Sequence, residues 1–74
     1  MPTFFIIDGI KVDLYHNDHV PPHFHAKYAE YENLISIKKM EKMKGNLPTK
    51  QQRKIMKWAK EHQDILMEIW ESLR

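Results

Sequence analysis

Two apolar-rich runs, residues 3 to 7 and 10 to 15, flank the dipeptide Asp8-Gly9 near the start of the chain. That dipeptide is a strong signal for a two-residue type I′ turn, so the segment predicts a β-hairpin. The pairing sets Ile7 against Ile10, Phe5 against Val12 and Thr3 against Leu14, all on one face. Phe4, Ile6, Lys11 and Asp13 fall on the other. Residues 16 to 22 predict a loop stiffened by Pro21 and Pro22. A third strand follows at 23 to 29. Side chains alternate along a strand, so Phe24, Ala26 and Tyr28 point to the core and His23, His25 and Lys27 to the opposite side. A turn at 30 to 33 leads to a fourth strand, Leu34 to Ile37. The connector, 38 to 48, has room for one or two helical turns at 39 to 44, stopped by Gly45.

From residue 49 the period changes to that of a helix. Ile55, Trp58, Ala59, Ile65, Leu66, Ile69, Trp70 and Leu73 recur at helical spacing, and no Gly or Pro follows Pro48, which predicts one helix over 49 to 73. Thr49 is a candidate N-cap, with Gln52 completing a capping-box pattern. Met56 and Met67 widen the apolar arc beyond what one sheet face covers, leaving area for a dimer or partner contact. His62 falls inside that arc, as a core histidine bonded to the sheet. The fold class expected is α+β: a four-stranded antiparallel meander packed on one face by a long C-terminal helix.

Seventy-four residues make a single domain, 1 to 74, with a small core. Domains of this size often rely on a disulfide, a metal or a partner. There is no cysteine, which removes disulfides and thiolate zinc sites. The longest apolar run is Phe4 to Ile7, too short for a membrane span or a signal-peptide core. A cytoplasmic protein without membrane attachment is expected.

The chemistry concentrates at one place. His16, His19, His23 and His25 lie within ten residues, around Pro21-Pro22. On a strand, His23 and His25 share a face with backbones about 6 to 7 Å apart. That bite suits zinc or another divalent transition metal, with His19 or His16 closing from the loop and Asp18 as a further ligand or supporting carboxylate. Without a metal, His23 and His25 beside Lys27 form a candidate acid–base and phosphate-stabilising set, as in metal-free RNA cleavage. The plainer alternative is loop architecture, in which the imidazoles hydrogen-bond to backbone.

A second feature is electrostatic. Nine basic residues lie between Lys38 and Lys60, opposed only by Glu41, and the sign reverses from Glu61 to Glu71. Lys50, Arg53, Lys54, Lys57 and Lys60 line the helix opposite its apolar arc. Cations in the N-terminal half and acids in the C-terminal half oppose the helix dipole. Lys57–Glu61 and Lys60–Asp64 offer partial relief at i, i+4. An RNA or DNA backbone, or an acidic protein partner, would give the stripe a use beyond solvation. No aromatic residue interleaves it as a stacking platform.

The chain resembles a small prokaryotic family catalogued as domain of unknown function 4160. The resemblance runs through Met1-Pro2-Thr3 and the hairpin, then Asn17-Asp18-His19-Val20-Pro21-Pro22-His23-Phe24-His25. It continues through Gly45-Asn46-Leu47-Pro48 and Trp58-Ala59, with His62, Leu66 and Trp70 on the helix. The His-x-Pro-Pro-His-x-His stretch is its most specific part. Polar residues are common in the family where this chain has Ile65 and Ile69. The family has no established activity; its genes often neighbour those of another small family, which implies a protein partner and a toxin–antitoxin-like two-gene module. The leading expectation is therefore a cytoplasmic interaction module acting with a protein partner or as a homo-oligomer. The alternative is a His-dependent hydrolase or ribonuclease, with or without a metal, acting on a phosphodiester.

Overall fold

The computed structural model describes residues 3–15 and 18–73. It contains five strands, β1 (Thr3–Ile7), β2 (Ile10–Asp13), β3 (His23–Tyr28), β4 (Tyr31–Ser36) and β5 (Lys42–Asn46), followed by α1 (Thr49–Glu61) and α2 (Gln63–Ser72). The strands form one antiparallel sheet in the order β1-β2-β3-β4-β5, a meander. The expected α+β fold is present, with one strand more than the sequence pattern indicated.

The first hairpin forms as expected at its turn. Asp8 and Gly9 take φ of 50° and 81°, as a type I′ turn requires. Ile7 pairs with Ile10 and Phe5 with Val12, but Thr3 pairs with Asp13 rather than Leu14 because the register shifts between Thr3 and Phe5. The β3–β4 turn is tighter than expected. Tyr28 pairs with Tyr31 and Ala29 supplies the left-handed residue at φ 53°, so Tyr31 to Asn33 belong to β4.

The connector at 38 to 48 contains a strand, Lys42–Asn46, rather than a short helix. Every residue of β5 is exposed, so no alternation of apolar and polar side chains marks it. What holds it is the free edge of β4, whose backbone groups need partners. Gly45 permits the approach: it sits at φ 81°, and a Cβ there would collide with the Glu32 carbonyl oxygen.

One sheet face carries the core. Val12, Phe24, Ala26 and Ile35 are fully buried beneath Ile55 and Ala59 of α1 and Leu66 and Trp70 of α2. Phe5 meets Trp58 edge to face at 4.9 Å, which extends the cover to β1. The opposite face is open at Ile6, 66% exposed.

The helix expected over 49 to 73 is broken at His62, at φ −123° and ψ 24°. Its amide donates to the Ala59 carbonyl, its Nδ1 meets the Trp58 carbonyl at 2.8 Å, and its ring stacks on Trp58. The His62 side chain thus bonds within the helix rather than to the sheet. Gln63 starts α2 by donating to the Ile37 carbonyl. Pro48, not Thr49, occupies the N-cap, with no side-chain cap bond. Gln52 accepts instead from the amide of Asn33, which is fully buried in β4. Among the described residues no helix is long and apolar enough to cross a membrane.

Candidate metal centre

The site forms where the loop after β2 returns to open β3. Strand alternation points His25 and Lys27 away from the core, and the register sets Asp13 opposite His25 on the same face. In the loop, the Val20–Pro21 peptide is cis. Asp18 folds its side chain back so that Oδ1 accepts the His19 amide hydrogen at 2.8 Å. The other oxygen, Oδ2, lies 3.0 Å from His23 Nε2 and 3.2 Å from His25 Nε2. One donor atom from each of Asp18, His23 and His25 lies within 4.8 Å of the others.

The far side of each ring fixes its tautomer. His23 Nδ1 is 2.8 Å from the Pro21 carbonyl oxygen, and His25 Nδ1 is 3.0 Å from Glu32 Oε2. A carbonyl and a carboxylate accept hydrogen bonds, so each Nδ1 carries the hydrogen. Both Nε2 atoms then face the same Asp18 oxygen. A neutral ring would turn its lone pair on that oxygen, which is repulsive. The arrangement therefore calls for a cation: a proton on Nε2 or a metal ion between the three groups. Tetrahedral zinc, with ligands at about 2.0 to 2.1 Å, separates neighbouring donors by about 3.3 Å, close to the 3.0 and 3.2 Å from Asp18 Oδ2 to the two rings.

Local charge agrees. Burial pulls the Asp18 carboxyl upward, but the His19 amide, the hydrogen bond to His25 and the charges of His23 and His25 outweigh it. The net result is a carboxyl held below its ordinary value of 3.8. His23 is only 4% exposed and lies 5.3 Å from the Trp70 ring, so the end of α2 backs the site. Tyr15 meets His25 edge-on at 4.5 Å.

The expected site residues divide. His23, His25 and Asp18 come together. His19 contributes its backbone amide, and its side chain is exposed. His16 lies outside the described residues. Lys27 belongs to a neighbouring network, donating to Tyr15 Oη at 2.9 Å and pairing with Asp13 at 3.2 Å. Thr3 donates to the second Asp13 oxygen at 2.6 Å. The Tyr15 bond raises the Lys27 ammonium above its ordinary value; burial opposes this and Asp13 reinforces it. Glu32 was not anticipated. It sits two residues from Leu34, the register partner of His25, on the same face; only the β3–β4 register reveals that diagonal neighbour.

The basic stripe on α1 is solvent-facing. Lys50, Arg53, Lys54, Lys57 and Lys60 are all exposed, and Lys54 pairs with Asp8 at 3.3 Å. The expected Lys57–Glu61 and Lys60–Asp64 pairs do not form among the described residues, and the break at His62 takes Asp64 out of α1's helical phase. None of the five bonds to the His/Asp cluster.

The geometry describes a small α+β domain with a two-histidine, one-carboxylate corner. A family model described as "Domain of unknown function (DUF4160)" matches residues 9–71, and the chain belongs to that family. No curated protein and no solved structure matches it.

Proposed function

We propose that this protein is a small interaction module whose Asp18–His23–His25 corner binds zinc or another divalent transition metal. The carrying observation is the convergence of both Nε2 atoms on one Asp18 oxygen while each Nδ1 is held by an outside acceptor. The His25–Glu32 contact matches the carboxylate–histidine–metal arrangement that orients ligands and raises their basicity. The ion would tie the loop to β3, supplying a staple that a small core without cysteine otherwise lacks. A protein partner, in the manner of a toxin–antitoxin-like pair, is part of this reading. Ile65, 44% exposed on α2, supports it as an apolar contact point.

A second reading rests on the number of ligands. Three protein ligands leave a position for water, the pattern of catalytic zinc sites. Zinc-bound water is acidified enough to serve as a nucleophile near neutral pH, so a metal-dependent hydrolase or ribonuclease acting on a phosphodiester fits this corner. The metal-free acid–base set has less support, because both nitrogens of His23 and of His25 already have partners.

Zinc titration of chelator-treated protein tests the proposal. One equivalent is expected to bind saturably, with selective shifts of the His23 and His25 ring signals; Asp18→Ala and His25→Ala should each abolish it. Diffuse binding, or binding untouched by both substitutions, would refute it. Phosphodiesterase activity that appears with the metal and vanishes in the same variants would favour the second reading.

A further inference from the structure

A half-open cavity of about 410 Å³ lies at the β4–β5 end of the sheet, lined by Pro21, Ser36, Lys38, Lys39, Lys42 and Met43, with Glu41 also on its wall. Its volume falls within the range of small-ligand sites. Three lysines and one glutamate line it. Lys42 donates to Asn46 at 2.7 Å, and neither Lys38 nor Lys39 has an ion-pair partner among the described residues.

The walls are fixed by hydrogen bonds. The Ser36 amide donates to the Glu41 carbonyl and the Met40 amide to the Ser36 carbonyl, closing the turn, and the Ile37 amide donates to the Pro22 carbonyl. Gln63, at the start of α2, donates to the Ile37 and Lys38 carbonyls. Ser36 is only 5% exposed. Its hydroxyl oxygen accepts from the Lys39 amide at 3.1 Å, and its hydroxyl hydrogen has no acceptor among the described residues. Ser36 lines the cavity together with three lysines, so that hydrogen is available to an acceptor bound there.

We propose that this cavity binds the phosphoryl group of a nucleotide unit, with Lys38, Lys39 and Lys42 neutralising the anion and the Ser36 hydroxyl donating to it. A carboxylate would satisfy the charge, but the volume exceeds what a carboxylate or bare phosphate fills. Pro21 and Met43 supply an apolar wall that suits the flat face of a base. The unit could be a free mononucleotide or part of a single-stranded nucleic acid. The site goes beyond the metal reading and does not rest on it, although Pro21 is shared: it lines the cavity while its carbonyl holds His23.

Amide NMR titrations with inorganic phosphate, adenosine 5′-monophosphate and a short single-stranded oligoribonucleotide, all on metal-free protein, test this. Saturable shifts centred on Ser36 to Met43 are expected, with the mononucleotide binding more tightly than phosphate. The oligonucleotide arm distinguishes the two sources: tighter binding than the mononucleotide points to a nucleic-acid chain, equal or weaker binding to a free nucleotide. Reversing the exposed pair, Lys38→Glu with Lys39→Glu, should weaken binding at least tenfold without unfolding the domain, whereas Lys54→Glu with Lys57→Glu should leave mononucleotide binding unchanged. Shifts spread evenly over the α1 lysines would overturn the proposal. So would binding that needs added zinc and is lost in Asp18→Ala, since the anion would then be a metal ligand. Preference for an acidic peptide over the mononucleotide would make the cavity a protein-docking site and overturn it as well. Loss of zinc binding with nucleotide binding retained would fail only the metal reading.

Discussion

The residues that matter at the metal corner are tied to partners on neighbouring elements. Glu32 touches no ion in the proposed arrangement; it holds His25 Nδ1 at 3.0 Å. Replacing it by Gln should therefore leave zinc binding possible but weaken it about 10- to 100-fold, as for other outer-shell partners. A competition titration against a chelator of known affinity reads this directly, and unchanged affinity would show that the Glu32 contact is incidental. Lys27 is a different case. Its bonds to Tyr15 and Asp13 keep it protonated, which suits a structural cation better than a general base. His23 and His25 were recognisable from their spacing alone. Glu32 was not, because nothing in the local pattern says which β4 residue lies diagonally across from His25.

At the scale of elements, the hairpin turn and the helical period were legible because each follows from local chemistry: Asp8-Gly9 tolerates positive φ, and the apolar residues repeat every three or four positions. β5 was not, because a strand exposed at every position carries no burial signal. Its place depends on β4 and on Gly45. Gly45→Ala is expected to destabilise the domain by more than about 1 kcal/mol, since alanine is unsuited to positive φ and its Cβ would strike the Glu32 carbonyl. A urea melt of the variant measures this, and a midpoint equal to that of the parent would refute it. Glu32 lies at that contact, so the same substitution should also loosen metal binding. The helix break shows the same division. The helical period ran unbroken through His62 in the sequence, but the i→i−4 side-chain bond to the Trp58 carbonyl and the Gln63 bond to the Ile37 carbonyl just after β4 accompany a break there.

For the whole molecule, the issue is how a small cysteine-free core is held together. The core layer runs from Val12 and Phe24 to Leu66 and Trp70, and the proposed site lies at its rim, where the His23 ring is 5.3 Å from the Trp70 ring. An ion that binds only the folded state stabilises it by about 2.7 kcal/mol when present at about 100 times its Kd. For a domain of this size that corresponds to roughly 10 to 20 °C in Tm. Adding a chelator should lower the Tm of zinc-loaded protein by about that amount, with no effect on Asp18→Ala. A Tm indifferent to chelator in both proteins would show that the corner is held by hydrogen bonds and protons alone.

The sequence by itself determined the features that short-range physics controls: the β-hairpin turn, the alternating third strand that sets His23 and His25 on one face, the amphipathic C-terminal segment and the concentration of imidazoles around two prolines. Tertiary structure decided the rest. It selected Asp18 over the exposed His19 to face both rings, brought Glu32 to His25, made a strand of the connector and joined Ser36 to the lysines of the β4–β5 turn. Each of these depends on pairing register or loop closure between segments distant along the chain. Such contacts are chosen by the packing of the whole sheet, and no local pattern of side chains encodes them.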